Sequence, residues 1–287
     1  EIRLSLVGSE MCIRDRGNIN LIYENAHKKY CLPFSEANLT DANKEYLQKY
    51  LDVTKSQMFF AKGIIFVEGI SEAILLPEIA KILDRPLEKY AVELVNVDSV
   101  AFSPFVNLFS SQNVQTCFSK VAIVTDDDRC TKKSETNYIN KDFDYDDVNS
   151  DISGKLLSGT PSERCNELET SCRAVGINVF KATKTLEYAL CCDENNIEYF
   201  IEAIKSEYSQ LGPALEQKVN SLHDMNEKAA CVWLFIRARE KCKGAIAQYI
   251  SQIIKKQCEM RKRGENIEKE FVIPDYLKEA VYCVTER

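Results

Sequence analysis

Residues 63–72 read GIIFVEGISE and residues 120–128 read KVAIVTDDD, so both runs pass directly from apolar to acidic residues. Each run opens with a short stretch rich in β-branched residues, which is typical of a strand that is buried on both faces. The acidic side chains that follow are Glu68, Glu72, Asp126 and Asp128. The sequence therefore predicts two buried strands that end in carboxylates.

Strand-like and helix-like patterns alternate around these runs. Strands are predicted at 63–67, 92–97, 120–125 and 177–180, and helices at 42–60, 71–83, 102–118 and 161–175. This alternation predicts a parallel sheet that is covered on both faces. From residue 185 onward the pattern is helical, at 185–191, 195–209, 213–222, 225–241 and 243–257. The predicted fold class is α/β, a parallel sheet flanked by helices with a helical C-terminal portion.

The predicted strand ends bring acidic side chains to one edge of the sheet, where functional groups of open α/β sheets collect. Glu72 follows Glu68 by one helical turn, and Asp126 and Asp128 alternate along the chain, so each pair can face one point. Four carboxylates would repel one another unless cations bind between them. Oxygen ligands without histidine or cysteine select Mg²⁺ or Mn²⁺, and two such ions about 4 Å apart are the usual arrangement for breaking phosphodiester bonds.

Several motifs together resemble a known family of nucleases. The E-G-x-x-E run at 68–72 and the D-x-D run at 126–128 are similar to the Toprim domain, the metal-dependent catalytic module of topoisomerases, primases and some nucleases. Residues 59–72 more closely resemble the OLD (overcoming lysogenization defect) family of ATP-dependent endonucleases. Three later motifs agree: Thr185-Leu-Glu187, Lys243-Gly-Ala-Ile-Ala247 and Phe271-Val-Ile-Pro-Asp-Tyr-Leu277. The resemblance extends over residues 42–283.

The resemblance implies roles for individual side chains. It implies metal ligands at Glu68, Glu72, Asp126, Asp128 and Glu187, and catalytic groups at Glu68, Asp126, Asp128 and Lys243. Glu187 would complete the second metal site or orient a ligand, and Lys243 would stabilise charge on the scissile phosphate. The implied reaction is phosphodiester hydrolysis with two Mg²⁺ or Mn²⁺ ions, one activating the attacking water and the other stabilising the leaving oxygen.

The family also has an N-terminal ABC-type ATPase domain, but this sequence contains no G-x-x-x-x-G-K-[S/T] motif. We therefore expect a C-terminal fragment that binds no ATP by itself, so that any ATP dependence belongs to the ATPase domain. Residues 1–16 resemble translated sequencing-adapter sequence and are set aside. The expected organisation is a helical linker at 17–62, a Toprim core at 63–192 with an acidic insert at 129–158, and a helical part at 193–287.

The resemblance implies three partners: DNA, the ATPase domain and a second copy of the chain. Its implied setting is phage defence or DNA processing and repair. Because 37 basic residues face 44 acidic ones, giving a net charge of −7, DNA could bind only to a local basic surface. The candidate DNA-binding residues are Arg237, Arg239, Lys241 and Lys243.

The twelve cysteines are scattered without a C-x-x-C pair, and the chain has only two histidines. This pattern predicts buried, reduced thiols in a cytoplasmic protein rather than a zinc site. No apolar run reaches the ~18 residues that a membrane helix needs. We therefore expect no membrane partner.

Simpler interpretations compete for several of these residues. Glu68 could merely favour the start of the following helix through the helix dipole, and Glu187 and Lys243 could be ordinary helix-surface residues. Asp127 is predicted to point away from its two neighbours into solvent. The stretch 142–147 is predicted to be a solvated acidic loop.

Two other functions also remain open at this stage. One is a primase-like or topoisomerase-like Toprim enzyme, and the other is a non-catalytic module that binds DNA and dimerises. One departure from the family pattern is visible, since Asn96-Val-Asp-Ser99 replaces the glycine that commonly follows the second strand. The order of the acidic and lysine motifs favours the nuclease.

Overall fold

A computed structural model of the chain describes residues 20–25, 28–33, 39–50, 55–110, 120–129 and 143–286. The strands of the described part are β1 (Asn20–Asn25), β2 (Lys28–Pro33), β3 (Gly63–Val67), β4 (Val92–Asn96), β5 (Lys120–Asp126) and β6 (Asn178–Ala182). Its helices are α1 (Asp41–Tyr50), α2 (Ile70–Ile82), α3 (Ser103–Ser110), α4 (Ser150–Ser158), α5 (Glu163–Ala174), α6 (Leu186–Cys191), α7 (Glu194–Glu207), α8 (Leu211–Ser221), α9 (Met225–Arg237), α10 (Lys243–Arg263) and α11 (Asp275–Thr285). Short 3₁₀ turns lie at Lys55–Phe60, Leu87–Tyr90, Tyr145–Asp147 and Glu240–Cys242.

Four strands form one parallel sheet in the order β4-β3-β5-β6, and β1 and β2 form a separate antiparallel hairpin. All five residues of β3 are buried. Alternate side chains enter opposite layers, because Ile65 joins the core built with α2, α9, α10 and α11, whereas Phe66 joins the core built with α1, α3 and α5. Burial on both faces explains the uninterrupted apolar sequence of this strand.

The predicted parallel sheet is confirmed, and each strand lies within two residues of its predicted bounds. The helix predicted at 161–175 is α5, where the Ser162 hydroxyl accepts a hydrogen bond of 3.3 Å from the backbone N–H of Cys165. The helix predicted at 71–83 is α2, which begins and ends one residue earlier. Gly69 occupies the cap position, and Ser71 is buried within the first turn.

Other regions differ from prediction because tertiary contacts outweigh local pattern. The helix predicted at 42–60 is described as α1 and then a 3₁₀ turn, and residues 20–33 form a hairpin where a helical linker was expected. The hairpin is held by backbone hydrogen bonds between its two strands, and these leave no hydrophobic periodicity in the sequence of either strand. The helix predicted at 102–118 is described only as α3, and its remainder lies outside the described residues.

The prediction of a solvated acidic loop at 142–147 is wrong for the described residues 143–147, which pack against the core. Tyr145 is buried, and its ring centroid lies 5.3 Å from that of Phe235. The Asp144 carboxylate lies 3.4 Å from the Arg239 guanidinium. Helix α4 follows in the acidic insert at 129–158, while Asp142 lies outside the described residues. Tyr145 is buried together with Val148, Ile152 and Leu156, so apolar side chains dock an otherwise acidic segment on the core.

No helix of the described part has the length and apolar character needed to cross a bilayer. The cysteines of this part are free thiols, and most of them are buried.

The backbone after β4 accommodates the absent glycine. Asp98 adopts the left-handed conformation, with φ of 56°. The Asn96 side chain supports it, because its carbonyl oxygen accepts a hydrogen bond of 3.0 Å from the Asp98 N–H and its amide donates one of 2.9 Å to the Asp98 carboxylate. Aspartate tolerates this conformation better than most residues, so the turn forms without glycine.

Asp127 ties the carboxyl ends of β5 and β6 together, and the prediction that it is solvated is wrong. Its side chain is inaccessible and accepts backbone hydrogen bonds of 2.9 Å from Lys184 and from Arg129. The Arg129 guanidinium adds two more, at 2.8 and 2.6 Å. These bonds hold Asp128 and Lys184, whose φ angles are 45° and 70°, in a conformation that non-glycine residues avoid. Asp127 therefore fixes the backbone from which Asp128 projects.

We expect Asp127→Ala to lower the free energy of unfolding by about 2–4 kcal/mol, because it removes one partner of a largely buried ion pair and orphans two backbone donors. Urea denaturation measures the change. The matched control is Asp151→Ala, whose exposed carboxylate pairs with Lys155; this variant should change stability by no more than about 0.5 kcal/mol. Equal effects of the two substitutions would contradict a special role for Asp127.

Candidate active site

Strands β3 and β5 are neighbours and end side by side. Glu68 and Glu72, which follow β3, therefore lie at the same edge as Asp126 and Asp128 at the end of β5. Val67 pairs with Val124, so Glu68 leaves the sheet beside Thr125. The Thr125 hydroxyl donates a hydrogen bond of 2.7 Å to the Glu68 carboxylate. This bond orients Glu68, and it was not foreseen because the neighbour of Glu68 depends on strand order, which the sequence does not state.

Helix α6 brings the third group of the predicted site to the same edge. The Thr185 hydroxyl caps this helix by accepting from the Tyr188 N–H, and the Asp126 carboxylate accepts a hydrogen bond of 2.9 Å from the Leu186 N–H. Glu187 lies in the first turn with 6% of its surface exposed, and the Lys243 ammonium lies 3.6 Å from its carboxylate. The two residues that the late motifs singled out are therefore in contact.

Arg164, in the first turn of α5, contacts the acidic residues from the other side. Its guanidinium lies 2.5 Å from the Asp128 carboxylate and 3.8 Å from that of Glu68. The Nη1 atom of this arginine is buried and has no hydrogen-bond partner among the described residues. No spacing or motif in the sequence pointed to Arg164, because a single arginine on a polar helix carries no signal of its own.

Burial and mutual repulsion dominate the electrostatics of these carboxylates. Burial raises the pKa of Glu72 to about 7, and the charges of Glu187 and Glu68 add to the rise, while Lys243 and a backbone hydrogen bond oppose it. Burial also raises the pKa of Asp126 well above its usual range, with the neighbouring acidic side chains as further causes. The predicted metal ligands therefore lie close enough to influence one another, in a place where charge is poorly solvated.

The donor set fits hard divalent cations. It consists of carboxylate oxygens alone, which Mg²⁺ and Mn²⁺ prefer, and it carries negative charge that a cation would neutralise. Within the described residues, no three such side chains converge closely enough to hold an ion as they are placed. Two of the carboxylates instead pair with the protein's own cations, Asp128 with Arg164 and Glu187 with Lys243.

The predicted DNA-binding residues have different surroundings. Arg237 stacks over the Trp233 ring at 5.2 Å, and Lys184 lies 4.9 Å from the same ring. Arg239 packs at 4.0 Å over Phe235 and also contacts Asp144, so its guanidinium holds the acidic insert in place. Lys241 is exposed, in the turn that leads to Lys243. Arg239 is thus engaged by the insert, whereas Lys241 is exposed and Arg237 is half-buried against Trp233. Lys243 contacts the acidic edge, which is the group of carboxylates at Glu68, Glu72, Asp126, Asp128 and Glu187, through its ion pair with Glu187.

Without divalent cations, we expect stability to fall as the pH rises from about 5 to 8. Folded Glu72 has a pKa of about 7 against an ordinary value of 4.5, so between these values the folded chain holds a proton that the unfolded chain has lost. Glu72→Gln removes this charge, and it should raise the free energy of unfolding at pH 8 by on the order of 1–3 kcal/mol. Thermal and urea unfolding in EDTA at both pH values measure the effect.

The control for this substitution is Glu259→Gln, at an exposed position of α10. It should leave the pH profile unchanged. Two outcomes would contradict the explanation that burial and repulsion raise the pKa of Glu72. In one, the wild type becomes more stable between pH 5 and 8. In the other, Glu72→Gln is no more stable than the wild type at pH 8.

Comparison with known proteins gives a family match that includes part of this site. Residues 59–128 match the family model described as overcoming lysogenization defect protein-like, TOPRIM domain. Endonuclease GajA of Bacillus cereus (strain HuB5-5) is 30% identical over 146 residues, which are 50% of this chain and 19% of that protein. The chain thus aligns with about a fifth of the length of this curated relative.

Two solved structures are also similar. The C-terminal region of the Xanthomonas campestris pv. campestris OLD protein is 22% identical, with a TM-score of 0.48, 80% of this chain covered and 95% of that one. The C-terminal region of the Burkholderia pseudomallei OLD protein is 18% identical, with a TM-score of 0.47, 79% of this chain covered and 98% of that one. Residues 59–128, which include Glu68, Glu72, Asp126 and Asp128 of the acidic edge, are therefore similar to the TOPRIM domain of overcoming-lysogenization-defect proteins.

Proposed function

We propose that this chain is the nuclease part of an OLD-type enzyme that cleaves DNA with two divalent cations, Mg²⁺ or Mn²⁺. The observation that carries the proposal is the gathering of carboxylates at one sheet edge, of which Glu72 and Glu187 are buried, together with a lysine and an arginine that form ion pairs with them. The similarity to an OLD-like Toprim domain and to an endonuclease supports a nuclease family. Phage defence or DNA processing is the proposed setting.

The proposed metal ligands are Glu68, Glu72, Asp126, Asp128 and Glu187. Bound cations would supply Lewis-acid activation of water and of the phosphodiester. The remaining work falls to the chain's own residues. Thr125 orients Glu68, the Leu186 N–H orients Asp126, and Lys243 is a point charge for a phosphate oxygen. Arg164 offers a second cation to the same anion, because it already lies at the acidic edge.

DNA binding is proposed to use the basic residues around the acidic edge, since the chain as a whole is negatively charged. Arg237, Lys241 and Lys243 would contact phosphates and so position the duplex without reading its sequence. ATP dependence is proposed to reside in a separate ATPase domain, and assembly with a second copy of the chain stays a prediction.

Asp126→Asn should abolish cleavage while preserving the shape of the site. The amide keeps an oxygen that can accept from the Leu186 N–H, but it removes a charged metal ligand. Incubated with supercoiled plasmid and Mg²⁺ or Mn²⁺, the wild type should nick or linearise the DNA, and the variant should do so at least about 100-fold more slowly. Gel electrophoresis with EDTA controls measures the rates.

Asp151→Asn, in the exposed ion pair of α4, is the matched control and should cleave at the wild-type rate. Relaxed but unbroken plasmid would favour a topoisomerase-like reaction instead. Absence of cleavage by the wild type, both alone and within the full-length enzyme with ATP, would leave a non-catalytic DNA-binding module.

The DNA-facing surface can be tested separately from cleavage. In the Asp126→Asn background, Arg237→Ala combined with Lys241→Ala should weaken binding of a labelled duplex and lower the slope of log affinity against log salt by about 2, one for each lost phosphate contact. Fluorescence anisotropy at several salt concentrations measures this. Arg173→Ala is the control, because it removes an exposed charge at the far end of α5, away from Arg164; equal slopes for all proteins would refute the assignment.

A further inference from the structure

Tyr276 has a buried hydroxyl with no hydrogen-bond partner among the described residues. Such groups are rare, because a buried polar group without a partner destabilises the fold and is usually satisfied by protein or by a bound ligand. Tyr276 belongs to the closing motif at 271–277, whose resemblance to a family ending suggested no role for any of its residues. Its place in the fold explains what the hydroxyl faces.

Helix α11 runs antiparallel to the strands, which brings its first turn to the acidic edge. At its C-terminal end, Cys283 accepts a hydrogen bond from the Asn178 side chain, and the Glu286 carbonyl accepts one from Lys120. Asn178 and Lys120 are the first residues of β6 and β5. The seven helical steps from Cys283 back to Tyr276 cover about 10 Å, and the four strand steps from Asn178 to the end of β6 cover about 13 Å. Tyr276 therefore lies within about one strand residue of the level where β6 ends.

The groups around the phenol agree with this position. Burial raises the pKa of Tyr276, and the charge of Asp126 is the next cause, followed by those of Glu72 and Glu187. These three carboxylates are proposed metal ligands, and each has lone pairs that can accept a hydrogen bond. The only polar atom of the Tyr276 side chain thus faces the acidic edge.

We propose that Tyr276 is a positioning residue of the metal centre, whose hydroxyl donates a hydrogen bond to a ligand carboxylate once a divalent cation has drawn the carboxylates together. This inference rests on the proposed function. Metal-binding carboxylates are generally held by hydrogen bonds from an outer layer of side chains, and loss of such a bond typically weakens metal binding by about 10–100-fold. The hydroxyl is inaccessible to solvent, so it serves as a donor within the protein and not as a nucleophile toward DNA.

The test is Tyr276→Phe in the full chain, which removes the hydroxyl and keeps the ring. Without divalent cations, we expect the melting temperature to stay the same or rise slightly, because the lost group has no partner. With MnCl₂ or MgCl₂, isothermal titration calorimetry should show affinity about 10–100-fold weaker than in the wild type. The rise in melting temperature on adding the cation should be correspondingly smaller.

Tyr188→Phe is the matched control, since this second buried hydroxyl is surrounded by Cys192 and Asp224 and not by the acidic edge. It should bind both cations as the wild type does. If Tyr276→Phe also binds them as the wild type does, the positioning role is refuted while the metal centre stands. If the wild type binds neither cation, the proposed function itself fails and this inference falls with it.

Discussion

The repulsion between carboxylates in a poorly hydrated place is the constraint on which the carboxyl edge of this sheet depends. Burial raises the pKa values of Asp126 and Glu72, and the charges of the neighbouring carboxylates raise them further. Two kinds of contact oppose this repulsion or fix the positions of the carboxylates. Arg164 and Lys243 bring positive charge, and backbone and hydroxyl donors hold the carboxylate oxygens. A divalent cation would relieve the same strain more completely, which is why the arrangement favours a metal-binding function over a structural one.

An edge of this kind needs a rigid support, and the sheet provides it. The two central strands, β3 and β5, are packed on both faces, so their ends cannot shift to separate the charges. Asp127 adds the second support by joining the loops after β5 and β6. Helix α11 spans the sheet from its amino edge to its carboxyl edge, so the last helix of the chain is part of the same core as the first strand of the sheet.

The sequence predicts the sheet well and the surroundings of the site poorly, for one physical reason. Strand β3 can be predicted because its burial on both faces requires a continuous apolar run. The glutamates stand out in the sequence because they follow this run directly. Thr125, Arg164 and Tyr276 reach the site through strand order and helix direction, which leave no local pattern. The burial of Asp127 was not predicted. The alternation of side chains along a strand indicates that Asp127 points away from its neighbours, but it does not indicate the hydrogen bonds that Asp127 accepts from Arg129 and Lys184. Tyr145 docks the acidic insert by a contact with Phe235 that lies far away in sequence.

The chain has a negative net charge, yet its proposed substrate, DNA, is also negatively charged. The two are compatible because cationic side chains lie beside the carboxylates of the acidic edge. Arg164 pairs with Asp128 and Lys243 pairs with Glu187, so the two cations at the acidic edge are engaged by its carboxylates. Under the proposed function, cations that neutralise these carboxylates would weaken both pairs and make the two side chains available to the anion. Metal and DNA would then each bind more tightly in the presence of the other. Bound cations would reduce the negative charge that repels the phosphates, and bound phosphates would add negative charge that attracts the cations. Under the proposed function, the acidic edge would therefore repel DNA until metal has bound and would attract DNA afterwards.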